Sequence, residues 1–279
     1  MKIKSLILFL SLLFCSEIFA EIETPGNFKN PETVKEVLSG QRKTANAAWW
    51  GFDKKDSTDA LQAAISSGAE KVIVPYMGDD WIVRPIKLAS NQEIVFEPGV
   101  VIFAKKGEFQ GKNDCLFKAV NQEKITLSGY GAVFKMRKNN YINEKYLKSQ
   151  WRNCISLYSC NDIEIKGLVI RESGGDGLYL GSTGKVNYKP CSKVTIKDCK
   201  FKKNYRQGIS ITSGQNIKID HCILEDTSGH KPGAGIDIEP NRDVDKVSNI
   251  VISNCISQRN QGYGFVIGLH KSTKDTKCV

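Results

Sequence analysis

The sequence predicts an all-β solenoid, and three observations in its second half carry this prediction. Four segments, starting at Asp162, Lys193, Asn216 and Asn249, align with one another at intervals of 31, 23 and 33 residues. Each segment holds two short stretches with the two-residue alternation of a β-strand, and none shows a helical period. Asn-Gly and Asp-Gly pairs, which join the strands of tight hairpins, are mostly absent from the junctions. The segments therefore predict stacked coils of one solenoid.

Aligned positions of the coils predict ladders of side chains along the interior. Equivalent residues of stacked coils lie about 4.8 Å apart, so like side chains face one another. Inward positions are predicted for four apolar pairs of the first strands, Ile163/Ile165, Val194/Ile196, Ile217/Ile219 and Ile250/Ile252, and for the column Leu168, Cys199, Cys222, Cys255. Cys160 aligns with Cys191, where a disulfide would fit. Reduced stacking is preferred, because the coil spacing is wide for a bridge.

Weaker coils precede these, starting at Gln92, Glu123 and Asn153, and residues 136–153 between them are predicted to leave the coil as a basic, aromatic loop. Upstream, the stretch DSTDALQAAISSGA predicts a short amphipathic helix. Its N-cap is either Asp56 or Ser57, and its apolar face would cover the open first coil. That face carries Leu61, Ala64 and Ile65.

The stretch GFDKKDSTDALQAAISSGAEKVIVPYMGDDWIVRPIKLASNQEIVFEPGVVI, starting at Gly51, resembles the first segment of the pectate lyase-like right-handed parallel β-helix superfamily. With the later repeats, the resemblance covers nearly all of the chain after residue 20. It implies a right-handed parallel β-helix with a short N-terminal capping helix. It does not imply one activity, because this scaffold hosts hydrolases, lyases, epimerases and adhesins. No catalytic motif of one such family is matched.

The first 20 residues predict an export signal, with lysines before an apolar run at residues 6–14 and Ala20 at the end. We expect residues 21–279 to form a single domain in the periplasm or outside the cell. No stretch is long enough to span a membrane. The chain stops without a capping helix, which predicts missing C-terminal coils or an end covered by a partner, and otherwise a monomer.

The formal net charge of +10 suits a polyanionic partner, and export favours an acidic polysaccharide over nucleic acid. The cysteines lack the paired CxxC spacing of a zinc site, so no metal is assigned to them.

The stretch AGIDIEPNR places two acids on alternating positions of a predicted strand. Because Ile236 and Ile238 align with the inward residues of the other coils, Asp237 and Glu239 are predicted to point outward. Residues two apart on a strand lie about 6.6 Å apart, near the lower end of the carboxyl separation of inverting glycosidases. The two acids therefore form a candidate catalytic pair. The alternative is a pair of ordinary solvated surface acids that blunt lateral sheet association.

The corners before these strands add residues that are predicted to ring the same face. Asp176 is a candidate to assist catalysis, although an Asp before Gly is also favoured in turns for its own backbone hydrogen bond. Candidate substrate-binding residues are Arg206, Tyr205, His230, Lys231 and Tyr179. An arginine and a lysine beside paired acids can hold a uronate or a sulfate.

Three functions are consistent with this pattern. The first is a glycoside hydrolase that uses the paired carboxylates and needs no cofactor. The second is a polysaccharide lyase with Arg206, Lys231 or Tyr205 as the base and the acids as ligands for Ca²⁺. The third is a non-catalytic glycan-binding solenoid.

Overall fold

The computed structural model describes residues 28–143, 145–184 and 188–269. The predicted export signal and the predicted open C-terminus lie outside these residues. The first half of the chain holds the helices α1 (Pro31–Leu38), α2 (Thr58–Ile65) and α3 (Lys138–Tyr141), a 3₁₀ turn (Ala47–Trp50), and the strands β1 (Thr44–Asn46), β2 (Lys71–Val74), β3 (Trp81–Val83), β4 (Ile86–Lys87), β5 (Gln92–Phe96), β6 (Val101–Ala104), β7 (Phe117–Val120) and β8 (Glu123–Lys135).

The second half of the described chain consists of strands. They are β9 (Ile155–Tyr158), β10 (Asn161–Arg171), β11 (Leu178–Gly181), β12 (Cys191–Lys197), β13 (Lys200–Lys202), β14 (Gln207–Ile211), β15 (Gly214–Asp220), β16 (Ile223–Glu225), β17 (Ala234–Ile238), β18 (Val247–Ser253), β19 (Ile256–Gln258) and β20 (Phe265–Ile267).

These strands form a parallel β-helix with three faces. The first face has the order β1-β2-β5-β8-β10-β12-β15-β18, and the third has the order β4-β7-β9-β11-β14-β17-β20. The second face is built from β3, β6, β13, β16 and β19, together with the second halves of the long strands β8 and β10. All named strand pairs are parallel, as predicted for a solenoid.

The predicted repeat intervals match the register of the first face. Asn161 pairs with Ser192, Ser192 with Gln215, and Gln215 with Ser248. The predicted inward residues of the first three coils are buried, including the sulfur column of Cys199 and Cys222. The seven described cysteines are free thiols, so Cys160 and Cys191 stack in the reduced state.

The corner between the first and second faces keeps one length in the last three described coils, whereas the gap is six residues between β2 and β3 and four between β5 and β6. Two residues separate the strands in three successive coils, at 198–199, 221–222 and 254–255. The first residue of each corner, Asp198, His221 or Asn254, adopts a left-handed backbone with φ between 50° and 54°. The corners that flank the third face differ in length. The segment before its strand holds four residues at 203–206 and eight at 226–233, and the segment after it holds two residues at 212–213 and eight at 239–246.

The predicted capping helix is α2, and its N-cap is Ser57. Leu61, Ala64 and Ile65 are buried on it, as predicted. Asp56, the residue before the N-cap, stabilises the start of the helix. Its Oδ1 accepts a hydrogen bond of 3.1 Å from the Thr58 backbone N–H, and its Oδ2 accepts one of 2.7 Å from Lys105 Nζ. The preceding helix α1 was not predicted from the sequence.

The long segment at residues 136–153 does leave the coil, but it packs back on the body more closely than a solvated loop. Tyr141 and Arg152 are buried. The Arg152 guanidinium donates to the carbonyl oxygens of Phe109 and Leu147 at 2.8 and 2.7 Å and thereby joins two loops. This segment forms one wall beside the third face.

Candidate functional site

One ladder on the outer side of the third face carries two of the predicted site residues, Tyr179 and Asp237. Strand pairing places Lys118 beside Ser156, Ser156 beside Tyr179, Tyr179 beside Ser210, and Ser210 beside Asp237. Val266 continues the ladder on β20. The inward neighbours Ile236 and Ile238 are buried in the core, so the predicted register of this strand is correct.

Asp237 is much less exposed than an outward strand position suggests. Its exposed fraction is 3 %. Its Oδ2 accepts a hydrogen bond of 2.7 Å from Gln207 Nε2, and the Oε1 of the same glutamine accepts the Ala234 backbone N–H at 3.0 Å. Gln207 thus connects the carboxylate to the start of its own strand. Glu239 directly follows β17 and is half-buried.

The Asp237 and Glu239 side chains lie where two clefts meet. One cleft of about 320 Å³ is also lined by Trp151, Arg206 and Thr212, among others. The other, of about 720 Å³, is also lined by His230, Lys231, Tyr263 and Val266, among others. Both acids line both clefts, so a chain-like ligand lying across the third face would pass directly over them.

Asp176 does not line either cleft. It is fully buried, and its carboxylate forms a bidentate pair with Arg206, with Nε–Oδ1 at 2.8 Å and Nη2–Oδ2 at 2.5 Å. Burial raises the pKa of Asp176, and attraction to Arg206 opposes this shift. Burial lowers the pKa of Arg206 and attraction to Asp176 raises it by more, so the guanidinium stays charged.

Two tyrosines in tilted ring contact form an aromatic floor for the smaller cleft. The rings of Tyr158 and Tyr179 lie 5.3 Å apart, and the Tyr179 hydroxyl lies 2.8 Å from Thr212 Oγ1. Burial raises the pKa of both phenols, so they remain neutral hydrogen-bonding groups. Trp151, with an exposed fraction of 44 %, stands on the wall of the cleft. Such surfaces suit the apolar faces of sugar rings.

The remaining predicted residues lie at the larger cleft or beside it. His230 and Lys231 are exposed and line this cleft. The His230 ring lies 6.1 Å from the ring of Tyr205, and its Nδ1 lies 2.8 Å from the carbonyl oxygen of Lys231. Tyr205 is half-buried and lines neither of the two clefts.

Sequence reasoning missed Tyr158 and Trp151, and it gave Gln207 no role of its own. Tyr158 could have been predicted from the sequence, because it aligns with Gly181 on the next coil. The same column of stacked residues continues along the third face to Glu239. Trp151 comes from the loop outside the repeat, so no alignment of coils predicts its position. Within the described ranges, no group of three or more His, Cys, Asp or Glu side chains is placed to hold a metal ion.

The model of a family described as "Right handed beta helix region" matches residues 97–245 and 130–276. The chain belongs to this family. Membership confirms the predicted right-handed parallel β-helix.

Comparison with individual proteins supports the same fold. The protein YclG of Bacillus subtilis (strain 168), itself uncharacterized, is 27 % identical over 220 residues, which cover 70 % of this chain. The chain spans about a third of the length of the curated relatives it matches, 37 % for YclG.

Two enzymes of known structure share this fold. An iota-carrageenase complexed to iota-carrageenan fragments matches 76 % of this chain and 49 % of its own, with 17 % identity and a TM-score of 0.60. The polygalacturonase of Erwinia carotovora ssp. carotovora matches 81 % of this chain and 68 % of its own, with 14 % identity and a TM-score of 0.51.

No helix among the described residues is long and apolar enough to cross a membrane.

Proposed function

We propose that this protein hydrolyses glycosidic bonds of a polysaccharide, with Asp237 and Glu239 as the acid and base pair. The observation that carries the proposal is the shared position of the two carboxylates at the junction of two clefts on the outer side of the third face. In the proposed reaction, one carboxyl group protonates the leaving glycosidic oxygen and the other activates a water molecule. Residues two apart on a strand lie about 6.6 Å apart, and this separation is compatible with a mechanism that inverts the anomeric configuration.

The surrounding residues have separate roles in the proposal. Arg206 holds an acidic or hydroxyl group of the substrate, and Asp176 keeps the Arg206 guanidinium charged and oriented rather than acting on the substrate itself. Tyr158, Tyr179 and Trp151 receive sugar rings. His230 and Lys231 contact the part of the glycan in the larger cleft. Tyr205 supports His230 through their ring contact.

Of the three candidate bases for a lyase, Arg206 is disfavoured by its ion pair, and the product analysis below tests elimination with Lys231 or Tyr205 as the base. A lyase needs a group that takes up a proton, and the bidentate pair with Asp176 keeps the guanidinium protonated. Action in the periplasm or outside the cell is part of the proposal, and so is independence of a cofactor. Iota-carrageenase and polygalacturonase, two proteins of the same fold, are named for action on polysaccharides, which supports a glycan substrate.

The test uses the full chain and three variants, Asp237→Asn, Glu239→Gln and Asp243→Asn. The third variant is the matched control, because Asp243 is exposed and lines neither cleft. Uronate-rich, sulfated and neutral polysaccharides are scored for new reducing ends and for product mass. We expect release of products that carry one added water, a loss of roughly 10²- to 10⁴-fold in the first two variants, and normal rates in the control.

Two results would overturn the proposal. Unsaturated products without added water would show a lyase. Binding of a glycan with no turnover of any polysaccharide in the panel would show a non-catalytic solenoid.

A further inference from the structure

The third face carries lysines that have no acidic partner. Lys87 and Lys118 are the lysines of its strands, and they lie directly beside each other in register. A third lysine, Lys189, lies beyond the end of β11. Among the residues that the structure describes, no carboxylate lies within 4 Å of any of these three amino groups.

Several strand lysines of the first two faces do have an acidic partner among the described residues. Lys71 pairs with Glu93 at 3.1 Å, Lys166 with Glu164 at 2.7 Å, and Lys200 with Glu225 at 2.8 Å. Like charges placed opposite each other on adjacent strands destabilise a sheet. The uncompensated pair Lys87 and Lys118 therefore weakens the third face unless an anion lies over it.

A cleft of about 820 Å³ lies at Lys118 and Lys189, and Lys87 does not line it. Lys118 and Lys189 line it together with the hydroxyl groups of Ser159 and Thr183 and with one acid, Glu123. Lys118 Nζ lies 5.5 Å from the centre of the Tyr158 ring, so the amino group is held above an aromatic surface. The cleft thus combines a net positive charge, hydroxyl groups and an aromatic ring, and the Ser159 hydroxyl itself donates to the Lys189 carbonyl oxygen at 2.8 Å.

This cleft continues the candidate active site. Tyr158 lines both the 820 Å³ cleft and the 320 Å³ cleft that contains the two acids. Lys118 and Asp237 lie in one ladder, four strand steps apart, which corresponds to about 19 Å. One glycan chain can therefore reach from the acids to the lysines.

We infer that the cleft at Lys118, Lys189 and Tyr158 is a distal subsite for an anionic substituent of the glycan, a sulfate or a carboxylate. The inference rests on the proposed function for the identity of the ligand as a glycan. The subsite selects substrates that carry a negative charge several sugar units from the bond that is cleaved. The Tyr158 ring stacks on the sugar that carries the substituent, and the lysines neutralise its charge.

The test measures equilibrium binding in the full chain that also carries Asp237→Asn and Glu239→Gln, so that turnover does not consume the ligand. The probes are a sulfated galactan, the same galactan after desulfation, and polygalacturonate. The variant Lys118→Gln/Lys189→Gln is compared with Lys193→Gln, which removes a charge from an exposed strand lysine of the first face. Two partly exposed ion pairs correspond to about tenfold in affinity.

We expect the double lysine variant to lose about tenfold in affinity for one anionic probe and little for the desulfated galactan, whereas Lys193→Gln binds as the parent does. The loss should disappear at high salt. Selective loss with the sulfated galactan assigns a sulfate subsite, and selective loss with polygalacturonate assigns a carboxylate subsite. Equal affinities of the double variant and the parent, or an equal loss in Lys193→Gln, would overturn the inference. Because binding is the readout, a failure to detect hydrolysis leaves this result interpretable.

Discussion

Asp176 and Arg206 form a bidentate ion pair between neighbouring coils, with the carboxylate fully buried and the guanidinium reaching the smaller cleft. Arg206 is further fixed by its backbone N–H, which donates to the Gly175 carbonyl oxygen at 3.0 Å. The buried Asp176 carboxylate therefore holds the charged Arg206 guanidinium in place at the candidate site.

Replacing Asp176 with Asn should destabilise the protein by about 2–4 kcal/mol, because it leaves a largely buried guanidinium without its counter-charge. The double variant Asp176→Asn/Arg206→Gln should lose less than Asp176→Asn alone, since it removes both charges. Urea unfolding of the three proteins measures the difference. A double variant as unstable as the sum of the two single variants would contradict this account.

Gln207 is expected to position Asp237, because it donates to Oδ2 at 2.7 Å and holds the start of the same strand. In Gln207→Leu we expect kcat to fall by up to about 10²-fold, with KM nearly unchanged. The acidic or basic limb of the kcat profile against pH should also move, which a loss of folded protein alone would not cause. An unchanged profile would assign Gln207 a structural role only.

Glu225 lies between strands of the second face with a side-chain exposure of 3 %, and Lys200, Lys202 and Arg259 surround it. Burial raises the pKa of Glu225, and hydrogen bonds from these cations and Gln258 lower it well below its usual range. Glu225→Gln should therefore cost about 3 kcal/mol of unfolding free energy. The matched control Glu164→Gln removes a partly exposed partner of Lys166 and should cost less than about 1 kcal/mol. Similar losses in both variants would contradict the importance of burial.

The start of α2 should weaken in acid. Partial burial raises the pKa of Asp56, but hydrogen bonds from Lys105 and Thr58 and the charge of Arg84 lower it from 3.8 to about 2. The folded state thus has the lower pKa, so this stabilisation is present above pH 4 and is lost as the pH falls towards 2.

Asp56→Asn should therefore cost about 1–2 kcal/mol at pH 7 and roughly half of that at pH 3, as measured by urea unfolding. Asp243→Asn, at an exposed position, is measured alongside as the control. A difference between Asp56→Asn and the native chain that stays constant down to pH 2 would refute the role of the Asp56 charge.

The coils could be predicted from the sequence because their interior repeats. Leu178, Ile209 and Ile236 occupy one column of the third face, and their alignment fixes the register and the outward direction of Asp237. The burial of Asp237 could not be predicted in this way. It accompanies the hydrogen bond from Gln207, a side-chain contact that the alignment of the coils does not reveal. Likewise, the sequence predicts Asp176 to assist catalysis or to stabilise a turn, and only the three-dimensional contact identifies Arg206 as its partner.

The corner lengths have a consequence for how such a protein can diversify. In the last three described coils two residues separate the strands of the first two faces, whereas the segments flanking the third face vary between two and eight residues in the last full coils. Insertions can therefore lengthen the segments that flank the third face, here called the rim, without moving the stacked side chains of the interior. Segments exchanged between chains of this architecture at that rim should alter ligand preference while the scaffold beneath stays intact, which makes the rim the natural place for redesign.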